Sequence, residues 1–383
     1  MTSALPWKVG VELELLAPVE SSRESLANEI ARSCSGRVKR IFYPQSEFAP
    51  LDNVTVFENL TLGFAVENEA GEVVAKCVDD LTIVDDLDAS QEPLAGWYRI
   101  LSDDQRFLSL VERHCDARAD QSTVLEPLAR LFDVDLEIVN DGSLTRVSDY
   151  RGASIAMAAS LPGERHRPCE LITAPMTSDR ETLIRHYLHL ISNLSFTIPV
   201  EAATHIHFDG KRLKSAAVMK TLIKIFGRYR SDIKRLVGTN ANCRRLGDWP
   251  KGIYRVASQE DFSTLDWYEA AKKLRQAGSV KFCDFNLVNL LADNCDKNTF
   301  EVRIIPGSMD ADFILRTIRL FEVLLKTCVS QQKDDDRHLP GLMDFIAETG
   351  LTNEDLEYWK ARWETTAKQG KFGFLKVLKI SKE

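Results

Sequence analysis

The sequence predicts an α+β fold in which a mostly antiparallel sheet carries helices on one face and leaves the other face open. Several segments alternate apolar and polar side chains with a period of two residues, so their strands are polar on one face only. The strands of a parallel sheet are instead apolar on both faces. Longer segments repeat apolar side chains at helical spacing and supply the covering layer.

Three of the alternating strands carry a pair of polar side chains two positions apart, with an apolar residue between them. These pairs are Glu12 and Glu14, His205 and His207, and Glu301 and Arg303. Each pair alone is what an ordinary amphipathic strand would show. Because all these side-chain types bind metal ions or phosphate groups, their recurrence favours a shared functional face.

In the first part of the chain, a strand at residues 9–16 precedes a helix from Ser21 to Cys34. Ser21 and Glu24 have the spacing of a capping box, and Gly36 follows the helix end. Alternation and turn residues then predict strands at 54–57, 62–66 and 72–78, a turn at 68–71 and a helix at 103–117.

In the second part, a turn signal at residues 140–143 follows a strand, and Gly238 ends a long amphipathic helix. The remaining strands are predicted at 134–139, 170–172, 204–209, 281–287 and 299–305. The remaining helices are predicted at 178–193, 213–236, 310–328, 339–349 and 353–369.

Composition and charge restrict the partners. The chain has 383 residues and a formal net charge of −8, which disfavours nucleic acid as a partner. No apolar run approaches the roughly 18 residues that a membrane span needs, and the N-terminal residues lack a signal-peptide pattern. We therefore expect a cytoplasmic protein with no membrane partner. The 8 cysteines include no C-x-x-C pair, and we expect buried, reduced thiols.

The predicted open face collects ligands for a hard cation. It would carry Glu12, Glu14, Glu170, His205, His207, Glu301 and Arg303, with Asp141 at a neighbouring strand end. Carboxylates with one or two imidazoles suit Mg²⁺ or Mn²⁺, and two such ions can hold phosphate oxygens. Arg303 adds a cation that a purely structural metal site does not need, whereas a transferring phosphoryl group does. The residues thus favour metal-assisted phosphoryl transfer.

Simpler interpretations of these residues stay open. The histidine pair can be a coincidence of an edge strand, Glu301 and Arg303 a surface ion pair, and Asp141-Gly142-Ser143 only a turn. The acidic stretch at 79–88 is either a solvated loop or a cation-binding loop. Neither a P-loop nor a dinucleotide-binding glycine motif is present, so a bound ATP would lie on the sheet face.

Six short motifs occur in an order that resembles a known family. They are Val-Gly-Val-Glu-Leu-Glu at 9–14, Asp-Gly-Ser-Leu at 141–144, Glu-Leu-Ile-Thr-Ala-Pro at 170–175, Thr-His-Ile-His-Phe-Asp at 204–209, Phe-Asn-Leu at 285–287 and Thr-Phe-Glu-Val-Arg-Ile-Ile-Pro-Gly at 299–307. Over residues 8–330 the chain resembles the putative amidoligase family. That family belongs to the carboxylate–amine ligase superfamily, with glutamine synthetase and glutamate–cysteine ligase as relatives.

The resemblance implies a curved antiparallel sheet with a glutamine-synthetase-like catalytic core that binds ATP and Mg²⁺ or Mn²⁺. It implies metal ligation by Glu12, Glu14 and Glu301, with Arg303 contacting the transferring phosphate. Either His205 or His207 matches the superfamily's metal or phosphate histidine. Glu170 and Asp141 match further metal carboxylates, and Ser143 and Asn286 match cofactor-binding positions by residue type.

The resemblance also implies a domain organisation. Residues 1–330 would form the catalytic domain, and the strand-rich block at 42–117 would be an insertion that is larger than the common core needs. The charge run at 333–337 would link this domain to a helical extension at 338–370, followed by a basic tail at 371–383. The sequence does not indicate an oligomeric state.

The leading functional hypothesis is an ATP- and Mg²⁺-dependent ligase. It would activate a carboxylate as an acyl phosphate and form an amide bond with an amine, both on small molecules or peptides. A phosphotransferase of the same fold class, which stops after phosphorylation, is one alternative. A non-catalytic regulator that binds metal or nucleotide is another. No residue identifies the carboxylate or the amine.

Overall fold

The computed structural model describes residues 7–46, 58–139, 142–243, 245–293, 297–330 and 339–380. The chain divides into two compact units. The N-terminal unit consists of Glu12–Ala174 and Arg185–Ala202. The C-terminal unit consists of Met1–Val11, Pro175–Ile184 and Ala203–Glu383. The boundary lies inside the first strand, so the two halves of that strand belong to different units.

Strands and helices alternate irregularly along the described residues. The strands, in chain order, are β1 (Val9–Leu16), β2 (Arg37–Ser46), β3 (Glu58–Glu67), β4 (Val73–Val78), β5 (Tyr98–Ser102), β6 (Leu136–Val139), β7 (Leu144–Ser148), β8 (Ser154–Ser160), β9 (Pro168–Thr173), β10 (Ala203–Asp209), β11 (Phe285–Asn286) and β12 (Thr299–Pro306).

The helices are α1 (Arg23–Ser33), α2 (Gln105–His114), α3 (Glu126–Phe132), α4 (Arg180–Asn193), α5 (Ala216–Val237), α6 (Lys251–Ala257), α7 (Trp267–Gln276), α8 (Val288–Leu291), α9 (Ala311–Ser330), α10 (Leu342–Ala347) and α11 (Asn353–Ile380). Among these helices of the described ranges, none has the length and apolar character needed to cross a bilayer.

Antiparallel pairing builds the N-terminal unit. β1 pairs with β9, β9 with β4, and β4 with β3, after which β5, β8, β7 and β6 follow in that order. β2 pairs along the whole length of β3. The β3–β4 hairpin turns at Gly71, which has a φ of +81°. This turn confirms the hairpin that the sequence predicts at residues 62–78.

The apolar core of the N-terminal unit lies between its helices and this sheet. α2 and α3 bury Leu108 and Leu128 against Leu62, Tyr98 and Ala158 of the strands. Apolar side chains on one face of each strand therefore pack against the helices, as the two-residue alternation predicts.

α1 is fixed to the same sheet by a buried arginine. The Arg23 side chain is inaccessible to solvent and donates to the carbonyls of Leu62 (3.0 Å) and Pro168 (3.1 Å). The N-cap lies one residue later than expected, because the hydroxyl of Ser22 accepts from Glu24 N at 3.2 Å and the helix begins at Arg23. The prediction that Ser21 caps this helix is therefore wrong.

In the C-terminal unit, β12 lies between β10 and β11 and pairs antiparallel with both. Its apolar face rests on α5 and α9 through a group of aromatic rings. The Phe226 ring lies 4.9 Å from Phe285, 5.2 Å from Phe300 and 6.2 Å from Phe321, measured between centroids. Because successive strand residues face opposite ways, this packing directs Glu301 to the other face of β12.

The C-terminal end of α5 is completed by α11. Gly238 follows α5 with a φ of +73°, a conformation that favours glycine, and ends the helix where the sequence predicts. The last turn of α5 leaves carbonyl groups without helical partners. The Arg362 guanidinium of α11 donates to two of them, from Nε to Leu236 O at 2.9 Å and from Nη2 to Val237 O at 2.8 Å.

The predicted α+β class and antiparallel pairing are confirmed, whereas the curved sheet and the glutamine-synthetase-like core stay predictions. So do the domain boundaries, although the described residues of the 42–117 block all belong to the N-terminal unit. The sequence patterns did not predict α6 and α7. The predicted strand 54–57 and the charge run 333–337 lie outside the described residues.

The strand predicted at 281–287 is wrong for most of its length, since only Phe285–Asn286 pairs with β12. Asp284, which precedes this pair, exchanges hydrogen bonds with a loop residue. Asp284 N donates to Gly247 O at 2.8 Å, and Gly247 N donates to Asp284 Oδ1 at 3.1 Å. The loop thus satisfies the backbone N–H of Asp284, which a strand ladder would otherwise use.

We expect Arg362→Ala to lower the free energy of unfolding by about 2 kcal/mol, because two charge-assisted hydrogen bonds are lost at a helix end. Urea unfolding followed by circular dichroism measures this change. Lys360→Ala is the matched control on the same helix, because its side chain is exposed and its ion pair is with Glu357, which is also exposed. Equal losses in both variants would contradict the role assigned to Arg362.

Candidate active site

Glu301 is the centre of a polar group in the C-terminal unit. Its Oε1 accepts from Arg303 Nη1 at 2.6 Å, and its Oε2 accepts from Asn286 Nδ2 at 2.6 Å. Glu301 is only 4 % exposed, so these charge-assisted bonds lie largely away from water. The i, i+2 spacing supplies Arg303, and the register of β11 on β12 places Asn286 directly opposite Glu301.

Both predicted histidines lie beside the same carboxylate. His205 Nδ1 is 3.6 Å and His207 Nε2 is 3.9 Å from Glu301 Oε1. The register of β10 on β12 pairs His207 with Glu301, and His207 Nδ1 is 3.2 Å from Thr299 Oγ1. Either imidazole could therefore bind the same cation or phosphate group as Glu301. The two distances are similar, so the geometry favours neither histidine, and the sequence motif favours neither as well.

A buried aspartate fixes the backbone beneath this group. Asp284 O accepts from Arg303 N at 3.0 Å, which ties the start of β11 to β12. The Asp284 carboxylate is 1 % exposed and lies 2.6 Å from Arg230 Nε and 3.2 Å from Lys234 Nζ. These two cations come from successive turns of α5. Through its ion pairs with Asp284, α5 thus helps to position β12, the strand that carries Arg303.

The sequence patterns did not reveal this support. The i, i+4 spacing of Arg230 and Lys234 on a predicted helix indicates that both can reach one anion. The residues next to Asp284 in the sequence do not indicate that its carboxylate is the anion that Arg230 and Lys234 contact. Its neighbour Cys283 is also buried, and burial raises the pKa of the Cys283 thiol to about 12, so it is protonated at neutral pH. Cys283 thus agrees with the prediction of buried, reduced thiols, whereas Cys34, Cys115 and Cys243 are free but only half-buried.

The N-terminal unit carries a second polar group, made of carboxylates. Glu14 on β1 is directly opposite Glu170 on β9, and Glu12 is opposite Ile172, two residues from Glu170 on the same face. Glu12 and Glu14 are 8 % and 6 % exposed. Like charges placed opposite each other destabilise a strand pair. The fold therefore keeps these carboxylates together at an energetic cost.

Electrostatics at Glu170 show how close these groups are. Burial raises the pKa of Glu170 well above its usual range, and the negative charges of Glu12, Asp80 and Glu14 raise it further. A proton or a cation relieves this repulsion. Several carboxylate oxygens on rigid strands are the donor set that Mg²⁺ or Mn²⁺ prefers. The residues present thus fit a divalent cation, which strengthens the cation hypothesis for this group.

Two predicted site residues lie elsewhere or outside the described ranges. Ser143 precedes β7 in the N-terminal unit, and the strands β4, β3, β5 and β8 separate β7 from β9 along the sheet. Its carbonyl accepts from Gln121 Nε2 at 2.6 Å. The structure therefore does not bring Ser143 to Glu170, and its cofactor-binding role stays a prediction. Asp141 lies outside the described residues.

Within each unit the structure brings together the residues that the motifs indicate. Glu12, Glu14 and Glu170 form the carboxylate group of the N-terminal unit. His205, His207, Asn286, Glu301 and Arg303 form the mixed group of the C-terminal unit. The catalytic and metal-binding roles given to these residues stay predictions.

Comparison with known proteins identifies a family. A family model described as putative amidoligase enzyme matches residues 5–325. This range includes all the described strands and both polar groups, and it ends within α9, so α10 and α11 lie beyond it. Neither a curated protein nor a solved structure matches the chain.

We expect Asp284→Asn to lower the free energy of unfolding by about 2 to 3 kcal/mol, because it leaves Arg230 and Lys234 without their shared anion. Chemical denaturation measures the change. Asp261→Asn is the control, since Asp261 is 67 % exposed and its ion pair with Lys273 is 4.0 Å long. A loss at Asp284 no larger than at Asp261 would show that the carboxylate does not support β11 and β12.

Proposed function

The chain belongs to the amidoligase family, and from this membership we propose that it is an ATP- and Mg²⁺-dependent carboxylate–amine ligase. The observation that carries the proposal is the arrangement at Glu301. Arg303 and Asn286 each donate to this buried carboxylate at 2.6 Å, and two imidazoles lie within 4 Å of it. Such a constellation combines ligands for a divalent cation with a cation for phosphate, which a structural ion pair does not require.

The proposed reaction has two transfers. The γ-phosphoryl group of ATP passes to an oxygen of the donor carboxylate, which gives an acyl phosphate and ADP. The amine then attacks the acyl carbon, and phosphate leaves as the amide bond forms and the amine loses a proton. Bound Mg²⁺ or Mn²⁺ would neutralise negative charge on the phosphate oxygens.

In the C-terminal unit, Arg303 has the role of stabilising charge on the transferring phosphoryl group. Its side chain is 15 % exposed, so it borders the open face while Glu301 fixes its Nη1. A guanidinium held in place before the reaction need not reorganise when charge develops. Glu301 would hold a cation together with His205 or His207, and Asn286 would orient Glu301 through its amide hydrogen bond.

In the N-terminal unit, Glu12, Glu14 and Glu170 have the role of cation ligands. The strand register places them side by side, and the apolar core behind β9 and β4 keeps their backbone rigid. Rigid carboxylates suit a cation because their orientation is set before the ion binds. We propose that the carboxylate donor and the amine acceptor are small molecules or peptides. A net charge of −8 disfavours nucleic acid as a substrate.

The test is ADP release from Mg-ATP with a panel of carboxylates and amines, with amide product detected by mass spectrometry. Phosphorylated product without amide would select a phosphotransferase. Metal binding without turnover on any substrate pair would select a non-catalytic regulator. Amide formation that depends on both an amine and ATP supports the ligase.

We expect Arg303→Lys to reduce kcat by about 10²- to 10³-fold, because a lysine cannot reproduce the planar contact of a guanidinium with Glu301 and phosphate. Glu12→Ala and Glu301→Ala should each lose activity to a similar extent. Steady-state kinetics with the active substrate pair provides the measurement.

Two exposed glutamates provide matched controls for these variants. Glu69→Ala lies in the N-terminal unit and Glu260→Ala in the C-terminal unit, and both should keep wild-type rates. Unchanged rates in Glu12→Ala and Glu301→Ala would contradict the site assignment even if the ligase activity itself were found.

A further inference from the structure

β12 contains a bulge at Arg303 and Ile304, next to the Glu301 group. The regular pairs on either side of it are Thr204 with Ile305 and Ile206 with Val302. Between these pairs β10 has one residue, His205, whereas β12 has two. Two residues that oppose a single residue of the partner strand are the pattern of a β-bulge.

A bulge changes the direction of the side chains beside it. It interrupts the two-residue alternation of a strand and is common next to active sites, where it reorients a side chain. Alternation from Glu301 alone therefore does not determine the direction of Arg303. The shape of the bulge determines it as well, and this shape depends on the contacts of the bulge backbone.

Residues outside the regular strands bond to both residues of the bulge. Arg303 N donates to Asp284 O at 3.0 Å, and Ile304 O accepts from the Thr239 hydroxyl at 2.7 Å. The extra residue of a bulge is left unpaired by the strand ladder, and a buried carbonyl needs a donor. Because Ile304 is inaccessible to solvent, the Thr239 hydroxyl supplies this donor from within the protein.

Thr239 is itself fixed by the end of α5. It follows Gly238, and its backbone N–H donates to Lys234 O at 2.9 Å. The side chain of Lys234 lies 3.2 Å from the buried Asp284 carboxylate. The same helix end therefore supports both residues of the bulge, one through Asp284 and the other through Thr239.

We propose that Thr239 is a positioning residue for the phosphoryl transfer of the proposed ligase. Its hydroxyl fixes the bulge, and the bulge orients the Arg303 guanidinium, whose Nη1 donates to Glu301 at 2.6 Å. A small displacement of a group that contacts the reacting atoms lowers the rate strongly. The inference rests on the proposed function, because it assigns a support to the arginine of that reaction. Thr239 lies outside the six motifs that indicate the family.

The first test needs no substrate. Thr239→Val keeps the branched shape of the side chain but removes the hydroxyl, and it leaves the backbone bond to Lys234 in place. We expect the amides of residues 299–306 to exchange about fivefold to tenfold faster, because one neutral hydrogen bond is lost. Hydrogen exchange followed by mass spectrometry measures this rate. Thr239→Ser, which keeps the hydroxyl, should exchange as the wild type does.

Thr349→Val is the matched control in the same unit. Thr349 is half-buried, as Thr239 is, and its hydroxyl also donates to a carbonyl at 2.7 Å, that of Ile346 in α10. This variant should leave exchange at 299–306 unchanged. Equal exchange there in Thr239→Val and Thr349→Val would overturn the proposal. Equal acceleration in Thr239→Val and Thr239→Ser would overturn it too, because the hydroxyl would then not explain the effect.

Kinetics separate the positioning of Arg303 from a general support of the strand. With an active substrate pair, Thr239→Val should lower kcat about tenfold with little change in KM, since positioning acts on the transition state. In an Arg303→Lys background the same change should lower kcat by less than about twofold, because the guanidinium that the bulge orients is absent. Equal losses in both backgrounds would show that Thr239 does not act through Arg303.

The proposed function and this inference fail in different ways. A wild type that makes neither amide nor phosphorylated product would remove the ligase, whereas faster exchange in Thr239→Val would still show that Thr239 fixes the bulge. Turnover by the wild type with an unchanged kcat in Thr239→Val would remove the positioning role and leave the ligase in place.

Discussion

Glu301 lies on β12, between β10 and β11, and the antiparallel register on both sides decides its surroundings. β10 places His207 opposite it, and β11 places Asn286 opposite it. Both pairings depend on the aromatic rings behind the sheet, since Phe300 is packed against Phe226 of α5. A slip of one residue would turn every side chain of β12 to the other face and bury Glu301 among those rings. The packing of the apolar face of β12 therefore determines which side chains its polar face presents.

Polar side chains on paired strands attract one another in the C-terminal unit and repel one another in the N-terminal unit. In the C-terminal unit the register and the i, i+2 spacing put an arginine, an amide and imidazoles around one carboxylate. In the N-terminal unit they put carboxylate opposite carboxylate, with Glu14 facing Glu170. In the first group opposite charges attract, whereas in the second a bound proton or cation would relieve the repulsion between the carboxylates.

Sequence reasoning could predict what depends on neighbouring residues. Alternation indicated the faces of β1, β10 and β12, and Gly238 marked the end of α5. It failed where distant chain segments decide the structure. Residues 281–284 have strand-like composition, but Asp284 N donates to Gly247 O of a loop and not to a neighbouring strand. Asp80 is one acidic residue among several in its loop, and only the folded structure shows that it is buried whereas Asp86 is exposed.

The contact between Arg362 and the end of α5 has a consequence for the order in which the chain folds on the ribosome. All residues of the N-terminal unit have been synthesised once residue 202 emerges, so this unit can form early. α5 is made soon afterwards, but its last carbonyls stay open to water until residue 362 follows. The helix that holds Asp284 is therefore finished late in synthesis. Newly made chains would pass through a stage in which the carboxylate group is folded while the Glu301 group still lacks its full support.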